Sequence, residues 1–154
     1  MQHFEGLELP AAMQVGFGVR DAEAAAAFYE ATLGLGPFDF QEAVLDGDYQ
    51  YAGKPDFCRL RIATCQSGEV QIELIEVLEG RHPSGIYVER YGEGINHLAF
   101  EVDDLEGLLA RLLDRGVELL IRGSVTLESG QNLLYAYVAA GPPGLPMFEF
   151  VQYR

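Results

Sequence analysis

Basic residues are scarce in this chain of 154 residues: 10 Lys and Arg stand against 24 Asp and Glu, a formal charge of −14. Lys54 is the single lysine, and the arginines are scattered. A nucleic-acid partner needs clustered cations to neutralise phosphate, so that class is excluded, and an anionic membrane surface is disfavoured for the same reason. Cysteine is nearly absent as well. Cys58 and Cys65 match no metal spacing such as C-x-x-C, and nothing marks the chain as secreted, so a reduced pair is expected rather than a disulfide. No apolar run reaches the ~18 residues of a membrane span. The opening MQHFEGLELP lacks the basic region and apolar stretch of a signal peptide, so a soluble cytoplasmic protein is expected. What is present is 49% hydrophobic residues, enough to build a core for one domain or for two small units that share one.

The chain repeats itself. QVGFGVRDAEAAAAFYEATLG (14–34) and HLAFEVDDLEGLLARLLDRG (97–116) both start on a polar residue. Both reach a Val (Val19, Val102) and then an Asp (Asp21, Asp104), and both run as a helical pattern to a Gly. Near the end of each half, VQIELI (70–75) and PMFEFV (146–151) are strand-like runs with one central acid, Glu73 and Glu149. The two acids are seven residues closer than the repeat requires, which places an insertion at DGDYQYAGKP (46–55) in the first half.

Each half reads as β-α-β-β-β: an α+β fold of two tandem modules, 12–79 and 95–153, joined by a linker at 80–94 that has room for one short helix. Asp21 is a good N-cap, Gly34 a good helix stop, and Ala25, Phe28, Tyr29 and Leu33 share one helical face. Further strands are expected near 38–44, 56–64, 69–78, 118–122, 132–140 and 146–152.

Alternation along the strands then places the chemistry. Val15, Phe17 and Val19 face the first helix, and Leu98, Phe100 and Val102 the second. Gln14 and His97 therefore point the other way, beside small neighbours that leave space. Glu73 and Glu149 sit between bulky helix-facing residues and project to the same side. Carboxylates inside a sheet are costly unless a cation compensates, and two of them converging also repel. A divalent metal resolves both problems. Gln14, Glu73, His97 and Glu149 offer one nitrogen and three oxygens with no thiolate, a set suited to an octahedral ion with open positions. His3 and His82 fall outside the strands and are expected to carry no chemistry. Tyr49, Tyr51, Phe57, Tyr135 and Tyr137 lie in or near strands that flank the expected cleft. Arg20, Arg59, Arg61 and Arg122 are candidates to fix a substrate carboxylate.

Through QVGFGVRDAEAAAAFYEATLGL, VQIELIE, GEGINHLAFEVDD and MFEFV the chain resembles the vicinal oxygen chelate superfamily. That group includes glyoxalase I, methylmalonyl-CoA epimerase, extradiol dioxygenases and bleomycin-resistance proteins. The resemblance implies paired modules around one divalent ion (Zn, Ni, Co, Mn, Fe or Mg) on Gln14, Glu73, His97 and Glu149. Many members have His at the first position, while glyoxalases of the animal type have Gln. It further implies a homodimer and an isomerase, epimerase or lyase that moves a proton beside the carbonyl of a small substrate through a metal-stabilised enolate. Glu149 is the first choice as base and Glu73 the second. The alternatives are a metal-free binding protein of the bleomycin-resistance type and an iron oxygenase. Gly18 and Val77 stand where glyoxalase I has its glutathione-binding Arg and Asn, and the scarcity of basic residues offers little to the phosphates of CoA.

Overall fold

A computed structural model describes residues 6–154. His3, for which no chemistry was expected, lies outside the described residues. Among the described residues, ten strands form one mixed sheet that curls into a half-barrel, with three helices. In chain order the elements are β1 (Gln14–Gly18), α1 (Ala22–Leu33), β2 (Asp39–Leu45), β3 (Gln50–Tyr51), β4 (Lys54–Pro55), β5 (Cys58–Ser67), β6 (Val70–Gly80), α2 (Pro83–Tyr91), β7 (Gly94–Glu101), α3 (Leu105–Asp114), β8 (Glu118–Thr126), β9 (Asn132–Ala139) and β10 (Met147–Tyr153). The sheet order β2-β5-β6-β1-β7-β10-β9-β8-β3-β4 places the first strand of each half side by side at the centre. Each central strand has its own half's last strand as a parallel neighbour: β6 on β1, and β10 on β7.

Local chemistry explains the helices. Asp21 caps α1 by accepting from the Ala24 N–H at 2.8 Å, and Asp104 caps α3 through the Gly107 N–H. Gly34 ends α1 at φ +65°, a conformation that costs a residue with a Cβ. The face that α1 buries differs from the expected one. Ala22 and Ala26 are buried, with Ala25 and Tyr29 beside them, whereas Phe28 and Leu33 are exposed. The alanines let the helix lie close on Val19, Ala63 and Leu74, and that closeness turns the two larger side chains outward. In the second half, α3 buries Leu105, Leu108, Leu109 and Leu112 against Phe100, Val138 and Phe150.

The insertion is built in rather than looped out. Gln50 and Tyr51 pair with Arg122 and Ile121, so β3 of the first half extends the sheet of the second. Tyr49 anchors it: the residue is fully buried, and its hydroxyl donates to the Arg81 carbonyl at 2.7 Å. The added strand gives β8 a partner along its far edge, and β8 runs to Thr126, past the expected end near 122. Cys58 and Cys65 are both buried and unbonded, as expected of a reduced pair. They sit in different cores, Cys58 on the concave face and Cys65 under α1, because an odd spacing along β5 puts them on opposite faces. None of the helices among the described residues is long and apolar enough to cross a membrane.

Asp21→Ala leaves the Ala24 N–H without its cap and should lower unfolding stability by about 1 kcal/mol in a urea titration, with Asp21→Asn losing far less.

Candidate metal centre

The four central strands, β6-β1-β7-β10, carry the four candidate ligands, one each. The pairing repeats a diagonal. Glu73 pairs with Gly16, two residues beyond Gln14, and Glu149 pairs with Ala99, two beyond His97. The side chains thereby meet at the centre of the half-barrel, and all four are buried or nearly so. His97 Nε2 lies 3.2 Å from Gln14 Oε1, 3.2 Å from Glu73 Oε2 and 3.5 Å from Glu149 Oε2. Glu73, His97 and Glu149 alone bring three ligand atoms within 4.8 Å of one another, a grouping able to hold a metal ion.

A β-bulge sets the orientation of His97. β7 and β1 slip register between Gly16, opposite His97, and Phe17, opposite Ile95. Asn96 is the extra residue. Strict alternation would turn it to the face opposite His97, but the bulge puts both side chains on the concave face, each fully buried. His97 Nδ1–H donates to Asn96 Oδ1 at 3.0 Å, so in the neutral ring Nε2 presents a lone pair to the oxygens. Gln14 is oriented similarly. Its amide nitrogen donates to Gln71 Oε1 at 2.7 Å, which leaves its oxygen facing the imidazole. Neither Asn96 nor Gln71 was singled out from the sequence. The two-residue return of Gln71 before Glu73 mirrors nothing in the second half, and a bulge leaves no mark in an apolar–polar pattern.

The glycines of β1 make room for ligands rather than for a void. A Cβ on Gly16 would stand 1.8 Å from His97 Cε1, and one on Gly18 would stand 2.3 Å from Asn96 Nδ2. The space that the small residues leave is thus occupied by the imidazole and by the amide that holds it.

Electrostatics make this arrangement unfavourable without a cation. Two carboxylates about 5 Å apart repel by about 3 kcal/mol at an effective dielectric near 20, and burial adds to that. Protonating His97 helps only in part, because one Nε2–H cannot serve three oxygens. Glu73 Oε2 is buried and has no aligned hydrogen-bond donor. The pKa directions reflect the same contest. Burial alone would lower His97, but the Glu73 and Glu149 carboxylates outweigh it and the net shift is upward. Burial raises Glu149 well above the usual carboxylate range; Glu73 adds to the rise, while His97 and a hydrogen bond from the Tyr137 hydroxyl oppose it. An orphaned buried carboxylate oxygen, three convergent oxygens and a lone-pair nitrogen fit a hard or borderline divalent ion.

Glu73 and Glu149 also line a cavity of about 460 Å³, walled by Leu60, Ile62, Leu133, Tyr135 and Tyr137. Of the aromatics expected near the cleft, Tyr135 and Tyr137 line it. Tyr49 is in the core, Tyr51 lies under the Arg81 guanidinium at 4.0 Å, and Phe57 is partly exposed. The four candidate arginines do not line the cavity. Arg20 pairs with Glu93, Arg59 with Glu42 and Glu79, Arg61 with Glu23, Glu42 and Glu76, and Arg122 with Glu106. His82 lies outside the strands, as expected, at the start of α2. It is buried, it caps α2 by accepting the Ser84 N–H on Nδ1, it packs edge-on to Tyr137 at 5.3 Å, and it lines the cavity. Burial, with His97 nearby, holds its pKa down to about 3, so it is neutral.

These features agree with what the chain resembles. A model of the Glyoxalase/Bleomycin resistance protein/Dioxygenase superfamily matches residues 13–135, and the chain belongs to that family. It is 33% identical over 121 residues to the uncharacterised protein YqjC of Bacillus subtilis (strain 168), covering 79% of this chain and 78% of that one. Among solved structures, a methylmalonyl-CoA epimerase of Streptomyces coelicolor in complex with 2-nitronate-propionyl-CoA superimposes with a TM-score of 0.63 at 20% identity, over 94% of this chain and 98% of that one. A mutant 4-hydroxymandelate synthase of the same organism gives 0.65 at 22% identity, over 95% of this chain and 49% of that one. At such identities the likeness shows the fold. The superfamily usually binds a metal and contains metal-dependent epimerases, isomerases and dioxygenases.

Gly16→Ala drives a methyl into the imidazole and should abolish stoichiometric binding of a divalent ion, read by calorimetry, while circular dichroism still reports a folded sheet. The raised protonation of His97 and Glu149 sets a sign for stability. Both hold protons that the unfolded chain releases at lower pH, so the metal-free protein loses stability as pH rises. His82 acts oppositely, but only below the ordinary histidine value of 6.5. The melting temperature of chelator-treated protein should therefore fall from pH 6.5 to about 8, and one equivalent of divalent ion should reverse that fall.

Proposed function

We propose that this protein is a divalent-metal-dependent isomerase, epimerase or lyase that moves a proton on a carbon beside the carbonyl of a small molecule. One observation carries the reading: three oxygens from Gln14, Glu73 and Glu149 converge on the lone-pair nitrogen of His97 at the buried end of a cavity. These four residues would hold the ion. When bound, a divalent ion supplies Lewis acidity, which polarises a carbonyl and offsets the charge that develops on its oxygen.

The remaining work falls to the chain. Glu149 is the proposed base. Its carboxyl lines the cavity, where a carboxylate can take a proton from a bound molecule and return it. Tyr137 pairs with Glu149 across β9 and β10, and its hydroxyl favours the ionised form of that carboxyl. Glu73 lines the same cavity and is the second candidate. Asn96 and Gln71 keep His97 and Gln14 turned inward, which holds the site in shape between turnovers. The aliphatic and tyrosine side chains of the cavity give the carbon skeleton of a small ligand a surface to pack on. A cytoplasmic homodimer completes the reading that the family suggests.

The test uses metal-loaded protein and a panel of small α-hydroxy ketones and α-keto acids in deuterated water, with exchange at the carbon beside the carbonyl followed by NMR. Exchange should appear for at least one compound, require the ion and fall by about 10²-fold or more in Glu149→Gln, with the fold retained. Full exchange in that variant removes Glu149 as the base. Protein that takes up no ion is a metal-free binder instead.

A further inference from the structure

The cavity that holds Glu73 and Glu149 is bordered mainly by apolar and tyrosine side chains and by the neutral His82, with Gln41 and Thr126 among the lining residues; among the described residues no Lys or Arg lines it. This is not for want of arginine nearby. Along β5, Leu60 and Ile62 face the cavity, while Arg59 and Arg61 alternate to the other face. There they are committed to Glu42, Glu79, Glu23 and Glu76. Glu42 borders the cavity, yet its carboxylate is paired with these same arginines. At the β8–β9 hairpin the one charged neighbour is Glu128, an acid. His82 supplies no positive charge, since its Nδ1 accepts the Ser84 N–H.

Charge balance then selects the ligand. With a divalent ion in place, the carboxylates of Glu73 and Glu149 bring the centre to zero formal charge. A neutral substrate that gives its carbon-bound proton to Glu149 leaves that sum unchanged: the C–H electron pair stays on the substrate and the proton stays in the cavity. A substrate that carries a further carboxylate or phosphate adds one or more negative charges. No cationic side chain among the described lining residues pairs with them, inside a chain whose formal charge is already −14. We propose that this site takes an uncharged, largely apolar molecule with two adjacent oxygens and discriminates against substrates bearing an additional anionic group within the cavity. This deepens, and rests on, the metal-dependent reading given above.

The discriminating probes share one two-oxygen head and one ring. Benzohydroxamic acid, its 4-carbamoyl derivative and its 4-carboxy derivative are titrated into protein loaded with one equivalent of Zn²⁺, by calorimetry, with metal retention measured on the same samples. The carbamoyl and carboxy groups have nearly the same size and differ in charge. The neutral pair should bind alike and the carboxylate at least about tenfold more weakly, the mark of an unpaired buried charge. A carboxylate that binds as tightly as the amide overturns the inference alone, and so does an amide as weak as the carboxylate, since size would then be the cause. If no probe binds while Zn²⁺ is retained, the reading of the centre as a two-oxygen site falls first and takes this inference with it.

Discussion

The molecule is organised around a concentration of lone pairs. Three oxygens and one imidazole nitrogen face one another across 3.2 to 3.5 Å in a space largely closed to water. A single proton on His97 Nε2 cannot serve three oxygens, and the strand backbones and the side chains of Asn96 and Gln71 hold the geometry. The sheet order puts β6, β1, β7 and β10 together, and the repeated two-residue diagonal aims one side chain from each strand at the same point. The hydrophobic cores under α1 and α3 stabilise that sheet from its convex side. Packing therefore sustains an electrostatic conflict at the centre that a cation would relieve.

Much of this was legible in the sequence because a strand has a period of two. Once Val15, Phe17 and Val19 are assigned to the helix side, Gln14 has one direction left to point, and the same logic fixes Glu73 between Ile72 and Leu74. The helix caps were legible too, since Asp21 and Asp104 precede helical patterns at N-cap positions. Where that periodicity breaks, legibility ends. Asn96 faces the site only because of a bulge, and a bulge is a property of two paired strands that neither strand's sequence displays. His82 looked like linker. It became a buried cap because α2 packs back onto the sheet, a long-range fact. The insertion at 46–55 read as turns, and its small strands exist because β8 offers an edge from the other half of the chain. Phe28 and Leu33 misled for a different reason: a helix seated through alanines needs no large apolar face.

The arginines show how one periodicity creates two environments. β5 carries Arg59 and Arg61 among Leu60 and Ile62, and the pleat sends the two kinds of side chain to opposite faces. On the convex side the guanidiniums find acids of β2, α1 and β6. Such half-exposed ion pairs add little stability. Their larger consequence is positional. A cation on the concave face beside Glu73 and Glu149 would pair with those carboxylates, satisfy them internally and compete with any metal for the site. By holding Arg59 and Arg61 on the far side of the sheet, β5 leaves the two central carboxylates in need of a charge it does not itself supply. The acidic excess of the whole chain and the undercompensated centre thus point the same way: a divalent ion would be the cation that the sequence omits.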